Sequence, residues 1–317
     1  MVDQLRRLAY FLSVTTALLL TGLFLFDELQ KLPQEQQEKL LEGKTVWTWD
    51  SPYGPLPTHY VEAGTGNQHL LLIHGFRANT YTWRHLITPL AAAGYHVWAI
   101  DLVGYGLSSK PEHIPYGIDF FTSQLKAFME AHHIQKADLV GNSMGGALAL
   151  NLASLDPHYI HSLVLINPLA YPIDIPLYIS TTKNFQPIWI PFLTPSVIRL
   201  SLNYIVFDPK TITDGQVEAY SLPYKLHGGS TSALLTLRNY NNAQILKIAE
   251  AYPFIKNPIL LIWGKEDQLL PLSHYTHFCQ DFPFAHTFLI PFCGHIPQEE
   301  HPTLVVETIL KFLRAID

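Results

Sequence analysis

The chain has 317 residues, of which 48% are hydrophobic, and it carries a net charge of −6 at pH 7. This length and composition suffice to bury a large core, and one α/β domain with an insertion accounts for them. The negative charge and the absence of a basic stripe argue against a nucleic-acid partner. Two cysteines, Cys279 and Cys293, are too few for a disulfide framework, and we expect two separate free thiols although a single bridge stays open.

The first predicted element is an apolar segment that follows Arg6 and Arg7. Residues 8–26 contain no charged side chain and would span about 28 Å as a helix, which matches the hydrocarbon core of a bilayer. No small-residue cleavage site follows Phe26, so residues 1–26 are predicted to be an uncleaved membrane anchor rather than a signal peptide. The two arginines before the segment predict that the rest of the chain lies on the non-cytoplasmic side. Residues 27–44 are predicted to form a polar stalk.

The chain then alternates between apolar strand patterns and helical patterns. Two helices are predicted at residues 80–93 and 120–132. Such alternation predicts an α/β fold with a mostly parallel eight-stranded sheet and helices on both faces. The active site is then expected at the carboxyl ends of the strands. The eight strands are predicted near residues 45–50, 58–63, 69–74, 95–100, 137–142, 160–167, 258–263 and 286–291.

The last two residues of the strand predicted near residues 137–142 begin the motif Gly141-Asn142-Ser143-Met144-Gly145-Gly146. A Gly-x-Ser-x-Gly motif between a buried strand and a helix predicts a nucleophile elbow, with Ser143 at the strained apex. A side chain beside the serine backbone would collide there, which explains the flanking glycines. Ser143 is therefore the candidate nucleophile.

A serine hydroxyl needs a base to take its proton and an acid to orient that base. Each should follow a later strand, acid first. Asp267 follows the strand near residues 258–263 and is the predicted acid, with the adjacent Glu266 as its rival. His295 follows the last strand and is the predicted base.

The tetrahedral intermediate of acyl transfer needs two N–H donors for its oxyanion. We expect these from the backbone of Met144, directly after the nucleophile, and of Phe76, in the loop after the third strand. His74 and Asp101 follow neighbouring strands and are expected to shape loops rather than to take part in the chemistry.

These motifs together resemble the α/β-hydrolase fold family. The resemblance rests on His-Gly-Phe-x6-Trp from residue 74, Gly-Asn-Ser-Met-Gly-Gly, Trp-Gly-x-x-Asp, and Cys-Gly-His-x-Pro-Gln-x-Glu-x-Pro from residue 293. It extends from about residue 45 to the C-terminus, so residues 45–317 are predicted to be the hydrolase domain. Serine at position 143 argues against haloalkane dehalogenases and epoxide hydrolases, which carry aspartate there.

The resemblance also implies a helical cap inserted at about residues 168–256. Its aromatic and aliphatic residues are candidates for an acyl pocket, or for packing of the cap on the core. Arg199 or Arg238 could bind a substrate carboxylate, or be surface charges. The candidate pocket residues are Tyr171, Ile175, Tyr178, Phe185, Trp189 and Phe192.

We therefore expect a serine hydrolase that cleaves carboxylic esters of a small hydrophobic, lipid-like substrate, without a cofactor or a metal. Carbon–carbon hydrolysis of ring-cleavage products is the enzymatic alternative. Ile296 follows the base where that branch usually carries tryptophan, which counts against it. The third alternative is a non-catalytic binding protein, although no member of the triad is missing.

Overall fold

The computed structural model describes residues 31–173 and 194–316. The strands of this part are β1 (Thr45–Ser51), β2 (Gly54–Ala63), β3 (His69–Ile73), β4 (His96–Ile100), β5 (Ala137–Asn142), β6 (Ile160–Ile166), β7 (Ile259–Gly264) and β8 (His286–Ile290). Its helices are α1 (Gln34–Leu41), α2 (Ile87–Ala92), α3 (Ile118–Ala131), α4 (Met144–Leu155), α5 (Pro195–Ile205), α6 (Asp214–Ser221), α7 (Gly229–Asn239), α8 (Asn242–Glu250), α9 (Leu272–Asp281), α10 (Pro297–Glu300) and α11 (Pro302–Ile316).

The eight strands form one sheet in the order β1-β2-β4-β3-β5-β6-β7-β8. β1 and β2 pair antiparallel, as do β2 and β4, and all remaining pairs are parallel. The predicted mostly parallel, eight-stranded sheet is confirmed. The strand order reverses between β3 and β5, and ligands of open α/β sheets bind at such a switch point. The loops after β3 and β5 meet there.

Both faces of the sheet are buried along the central strands β3 to β7, as their nearly continuous apolar sequences predict. Side chains alternate between the faces along each strand. In β3, Leu71 and Ile73 belong to the core that packs with α3, α4, α8 and α9, whereas Leu70 and Leu72 pack with α2 and α11. The predicted helices on both faces are therefore present.

The helix predicted over residues 80–93 is divided in two. Residues Thr80–Trp83 form a short 3₁₀ turn, because the side chain of Asn79 accepts a hydrogen bond from the Tyr81 N–H and starts a turn of its own. α2 begins only at Ile87, two residues before Pro89. A proline is tolerated in the first turn of a helix, where its missing N–H would have no partner.

Between β6 and β7 the chain inserts a long segment that contains α5 to α8. We call its described residues 194–258 the cap segment. Its helices contribute Ile198, Leu202, Val217 and Tyr220 to an apolar cluster. The same cluster contains Ile296, in the loop after β8, and packs against Phe76. The cap segment thus lies over the carboxyl edge of the sheet.

The described part of the predicted polar stalk lies against the cap segment. The Leu32 N–H donates to the Lys225 carbonyl at 2.8 Å, and the side chain of Lys31 donates to the Tyr224 carbonyl at 3.1 Å. Gln37, on α1, accepts a hydrogen bond from the His227 N–H. These contacts hold the segment before β1 on the cap segment.

The prediction of a membrane-anchored location is wrong, because the structure contradicts it. Within residues 31–173 and 194–316 no helix is both long and apolar enough to cross a membrane. The longest helix of this part, α11, has 15 residues and measures about 22 Å, against about 30 Å for the hydrocarbon core. The predicted anchor itself, residues 1–26, lies outside the described residues.

Candidate active site

Ser143 lies at a strained turn between β5 and α4. Its backbone has φ of +54° and ψ of −117°, and its N–H donates to the Ile166 carbonyl of β6 at 3.1 Å. A Cβ atom on Gly141 would collide with the Gly145 backbone, and one on Gly145 would collide with the Ile73 carbonyl of β3. The turn therefore requires glycine on both sides of the serine. It leaves Ser143 partly exposed between buried neighbours.

The loop after β3 lies directly against this serine. A Cβ atom on Gly75 would be only 3.0 Å from the Ser143 Cβ atom. In the part of the chain that the structure describes, the N–H groups of Phe76 and Met144 donate no hydrogen bond. Two backbone donors beside the nucleophile thus remain available for a ligand oxygen, as an oxyanion hole requires.

His295 and Asp267 form a buried pair. The His295 Nδ1 atom lies 2.7 Å from Asp267 Oδ2, and their side chains are 6% and 0% exposed. Asn142, beside the nucleophile, donates its side-chain N–H to the His295 carbonyl at 3.1 Å, which ties the base loop to β5. The predicted rival, Glu266, instead accepts the Cys293 N–H at 3.1 Å. The structure therefore pairs His295 with Asp267 and not with Glu266.

Four donors surround the Asp267 carboxylate. Oδ2 accepts from His295 and, at 2.7 Å, from the Asn167 side chain, while Oδ1 accepts the N–H groups of Leu269 and Leu270 at 2.8 and 3.0 Å. Burial raises the pKa of Asp267, but the charge and hydrogen bond of His295 and the two N–H groups outweigh it, so the pKa is lowered. Asp267 thus stays ionised at neutral pH despite its burial.

Asn167 is a residue that the sequence analysis missed. It is fully buried at the end of β6 and has φ of +40°, a region that asparagine tolerates better than most residues. Its Oδ1 accepts the Gly264 N–H at 3.0 Å, which assigns the amide nitrogen to the bond with Asp267. The sequence did offer one indication of Asn167. It is a polar residue at the carboxyl end of the buried strand β6, which lies between the strand of the nucleophile and the strand of the acid.

His74 shapes the loop after β3, as predicted. Its Nε2 atom accepts the Leu102 N–H at 3.1 Å, so Nδ1 carries the proton and donates to the Gly75 carbonyl at 2.7 Å. Burial lowers the pKa of His74, which favours this neutral form. With both nitrogens engaged, His74 is not placed to act as a second base.

Asp101 joins three segments behind the site. Its carboxylate accepts from the N–H groups of Thr80 and Leu107 and from the His59 ring, at 2.7 to 2.9 Å. Burial raises the pKa of Asp101, but the hydrogen bond and charge of His59 dominate and lower it to about 2. Asp101 therefore holds the loop after β4, as the sequence led us to expect.

The cap segment is hydrogen-bonded to the base loop. The His295 N–H donates to the Ile205 carbonyl, at the end of α5, at 2.7 Å. The Glu300 carboxylate accepts the N–H groups of Gly294 and Phe207 at 2.9 and 2.7 Å. The position of the base thus depends on the cap segment as well as on the sheet.

The cap residues proposed from the sequence have different surroundings. Arg199 forms an ion pair with Asp214 on α6, and Arg238 is exposed on α7. Tyr171 donates its hydroxyl to Asp281 at 2.6 Å and packs on the core. The remaining candidates lie outside the described residues, namely Ile175, Tyr178, Phe185, Trp189 and Phe192. Cys279 and Cys293 are both free thiols.

Within the described residues the site therefore holds a partly exposed serine at the elbow and a histidine that is paired with a buried carboxylate and whose loop is hydrogen-bonded to Asn142. Two backbone N–H groups in this part donate to no acceptor. This arrangement can perform nucleophilic attack on a carbonyl carbon and stabilise the resulting oxyanion. The roles of Ser143, His295, Asp267, Phe76 and Met144 in such chemistry remain predictions.

Comparison with known proteins gives the family. Residues 68–193 and 220–302 match the family model described as alpha/beta hydrolase fold. The chain is 30% identical to the AB hydrolase superfamily protein YfhM of Bacillus subtilis, over 81% of this chain and 94% of that protein. It is 28% identical to the 2-hydroxy-6-oxo-6-(2'-aminophenyl)hexa-2,4-dienoic acid hydrolase of Metapseudomonas resinovorans, over 82% and 88% of the two chains.

Further relatives, at 26% to 29% identity, are named as hydrolases of related dienoates or of 2-hydroxymuconate semialdehyde. Among solved structures, a bacterial membrane phospholipase A superposes with a TM-score of 0.68 at 25% identity. That comparison covers 100% of this chain and 99% of that one. The chain belongs to the α/β hydrolase fold family.

Proposed function

We propose that the chain is a serine hydrolase that cleaves a bond next to a carbonyl carbon through an acyl-enzyme on Ser143. The observation that carries this proposal is the buried His295–Asp267 pair, whose loop is hydrogen-bonded to Asn142, the residue before the elbow serine. In the described part of the chain, the N–H groups of Phe76 and Met144 have no acceptor, which supports the same proposal. The pairing of His295 with Asp267 and the elbow conformation of Ser143 support a catalytic role over the binding-protein alternative.

In the first step His295 takes the Ser143 proton on Nε2 while the serine oxygen attacks the carbonyl carbon. Asp267 holds the imidazole by Nδ1 and stabilises the imidazolium that forms. The N–H groups of Phe76 and Met144 bind the oxyanion. The imidazolium then gives its proton to the leaving atom as the scissile bond breaks, and the acyl group stays on Ser143.

In the second step His295 takes a proton from water, and the hydroxide oxygen attacks the acyl carbon. Collapse of the second oxyanion returns the proton to the Ser143 oxygen and releases a carboxylic acid. The leaving atom in the first step decides the reaction class. An oxygen gives ester hydrolysis, and a carbon gives carbon–carbon hydrolysis.

We place carbon–carbon hydrolysis first. The support is the set of relatives named as 2-hydroxy-6-oxo-dienoate hydrolases, which cover four fifths of this chain at 26% to 29% identity. In such a compound the hydroxyl proton of the dienol must first move to the carbon next to the ketone, because that carbon can then leave as part of a stabilised dienolate rather than as a vinyl anion. The bond between this carbon and the ketone carbon breaks as the oxyanion collapses, and the imidazolium proton goes to the dienolate.

Hydrolysis of a hydrophobic ester is the second candidate. Ile296, directly after the base, is buried in the apolar cluster of the cap segment, so the surroundings of the base are apolar on that side. The similarity to a phospholipase A along the whole chain supports the same choice.

Turnover of 2-hydroxy-6-oxo-2,4-heptadienoate and of p-nitrophenyl esters with two to twelve acyl carbons tests both candidates, each with the wild type and Ser143→Ala. If the wild type consumes the dienoate faster than any of the esters and Ser143→Ala does not consume it, the result supports carbon–carbon hydrolysis. Activity that is confined to esters and rises with acyl length supports the second candidate instead. If Ser143→Ala turned over the dienoate and the esters as fast as the wild type does, the mechanism would be refuted.

A further inference from the structure

Arg77 occupies a position beside the candidate oxyanion loop that the mechanism above does not use. It directly follows Phe76, its side chain is partly buried, and its backbone has φ of +61°. A positive φ is costly for a non-glycine residue and is found preferentially at functional sites. An arginine thus occupies a backbone conformation that favours glycine.

The guanidinium group lies between the oxyanion loop and the cap segment. Its Nε atom donates to the Tyr224 hydroxyl at 3.3 Å, and its central carbon lies 5.7 Å from the centre of that ring. The charge of Arg77 also opposes the rise in pKa that burial produces at Tyr105, whose ring contacts Phe76. The cation therefore lies against Tyr224 of the cap segment and near Tyr105, whose ring contacts the Phe76 ring.

Arg77 has no anionic partner within residues 31–173 and 194–316. Other cations in this part do have partners. Arg84 binds Glu299 at 2.6 Å, Arg199 binds Asp214, and Lys110 donates to backbone carbonyls of its own loop. A partly buried charge without a counter-charge costs free energy, which a bound anion would offset. Within residues 31–173 and 194–316 no acceptor is bound to the terminal nitrogens of Arg77, so their donors can bind such an anion.

Building on the proposed function, we propose that Arg77 binds a carboxylate of the substrate and so selects acidic substrates. A guanidinium group suits this role because its parallel N–H groups match the two oxygens of a carboxylate. Since Phe76 supplies an oxyanion donor, Arg77 would fix the far end of a molecule whose carbonyl lies at Ser143. This assigns to a residue of the oxyanion loop the role that the sequence analysis gave to Arg199 or Arg238.

The test compares an acid with its neutral ester. The substrates are 2-hydroxy-6-oxo-2,4-heptadienoate, whose carboxylate lies five carbon–carbon bonds from the ketone, and its methyl ester. In Arg77→Gln we expect kcat/KM to fall at least about tenfold for the acid and less than about twofold for the methyl ester. Arg77→Lys should recover part of the loss. Arg314→Gln, an exposed arginine on α11, is the matched control and should change neither.

A binding measurement separates this inference from the proposed function. Calorimetry of the acid with Ser143→Ala, alone and combined with Arg77→Gln, should show a Kd at least about tenfold weaker in the double variant. Weakening without wild-type turnover would keep the Arg77 inference and refute the proposed reaction. Equal losses for acid and methyl ester, or no binding of the acid to Ser143→Ala, would overturn the inference itself.

Discussion

Asn167 is the residue whose replacement tests most directly how the site holds its acid. Its amide donates to Asp267 Oδ2 at 2.7 Å, on the same oxygen that His295 contacts. Asn167→Gly removes this donor and still permits the positive φ of +40°. An alanine at this position would add backbone strain to the loss of the hydrogen bond, so glycine is the cleaner change.

The magnitude follows from the bonds that are lost. A hydrogen bond to a charged group contributes about 1.5 to 3 kcal/mol. If this whole amount is lost in the transition state, kcat falls by a factor of roughly 10 to 150, since each 1.4 kcal/mol is tenfold. Asp267 keeps the N–H donors of Leu269 and Leu270, so we expect the lower half of this range. The Gly264 N–H also loses its acceptor, which lowers the free energy of unfolding by about 1 to 3 kcal/mol.

Asn167→Asp adds a pH signature that simple destabilisation cannot give. It places a second carboxylate against Asp267, and two carboxylates this close share one proton. At pH 6 the shared proton neutralises part of the charge that orients His295. At pH 9 the pair loses that proton. The activity of this variant relative to the wild type should therefore rise between pH 6 and pH 9.

The assay is kcat against pH on whichever substrate shows Ser143-dependent turnover, combined with urea unfolding. Asn257→Ala is the matched control, because the Asn257 amide donates to the Ile160 carbonyl at 2.8 Å at the opposite end of β6. It should lower stability and leave kcat unchanged. Equal kcat values in Asn167→Gly and Asn257→Ala, or an Asn167→Asp pH profile identical to that of the wild type, would refute the reasoning.

Three further changes test the framework of the site. Asp101→Asn should lower the free energy of unfolding by about 2 kcal/mol at pH 7, because the pKa of Asp101 is about 2 in the folded chain and 3.8 ordinarily. This stability is present above about pH 4 and is lost as the pH falls towards 2, so the difference from the wild type should shrink there. Glu299→Gln should lower the free energy of unfolding by about 3 kcal/mol and weaken the attachment of α6. The buried Glu299 carboxylate forms an ion pair with Arg84 and accepts hydrogen bonds from two side chains of α6. Gly145→Ala should abolish folding of the elbow, whereas Gly215→Ala, with its nearest neighbour at 3.9 Å, should be tolerated.

Urea unfolding at pH 7 and pH 3 measures the first change, and an undiminished difference at pH 3 would contradict it. Limited proteolysis with mass spectrometry measures the second, and cleavage around α6 should accelerate. Unchanged cleavage there would show that Glu299 does not hold the cap segment. Yield and circular dichroism measure the third, where a folded, active Gly145→Ala protein would contradict the stated requirement for glycine.

The sheet could be predicted from the sequence because its strands are short, apolar and separated by clear turn residues. β5 and β7 each have a strand on both sides and are buried throughout, so their patterns are unambiguous. Chain order and strand placement predicted His295 as the base and an acid after the strand near residues 258–263, but they left Glu266 as a rival to Asp267. The hydrogen bond between His295 and Asp267 decides between the two acids. The helix over residues 80–93 was predicted as continuous, because helical periodicity does not reveal that the Asn79 side chain starts a separate turn.

Local patterns could not reveal contacts between distant segments. Asn167 and Asp267 are 100 residues apart, and only the parallel register of β6 and β7 brings them together. The adjacent residues Glu299 and Glu300 look equivalent in sequence, yet Glu299 binds Arg84 and α6, whereas Glu300 binds the backbone of the base loop and of Phe207. One acidic pair thus secures the cap segment at two places, one of them directly beside the base.

This arrangement links substrate selection to the position of the base. The cap segment contacts Arg77 through Tyr224, and it contacts His295 through the Ile205 carbonyl. A substrate that binds Arg77 would therefore influence the cap segment, which also holds the backbone of His295. Glu299→Gln should therefore weaken the preference of the enzyme for the acid over its methyl ester as well as lower the free energy of unfolding. A variant with lowered stability and an unchanged preference would show that the cap segment binds the base loop without influencing selection.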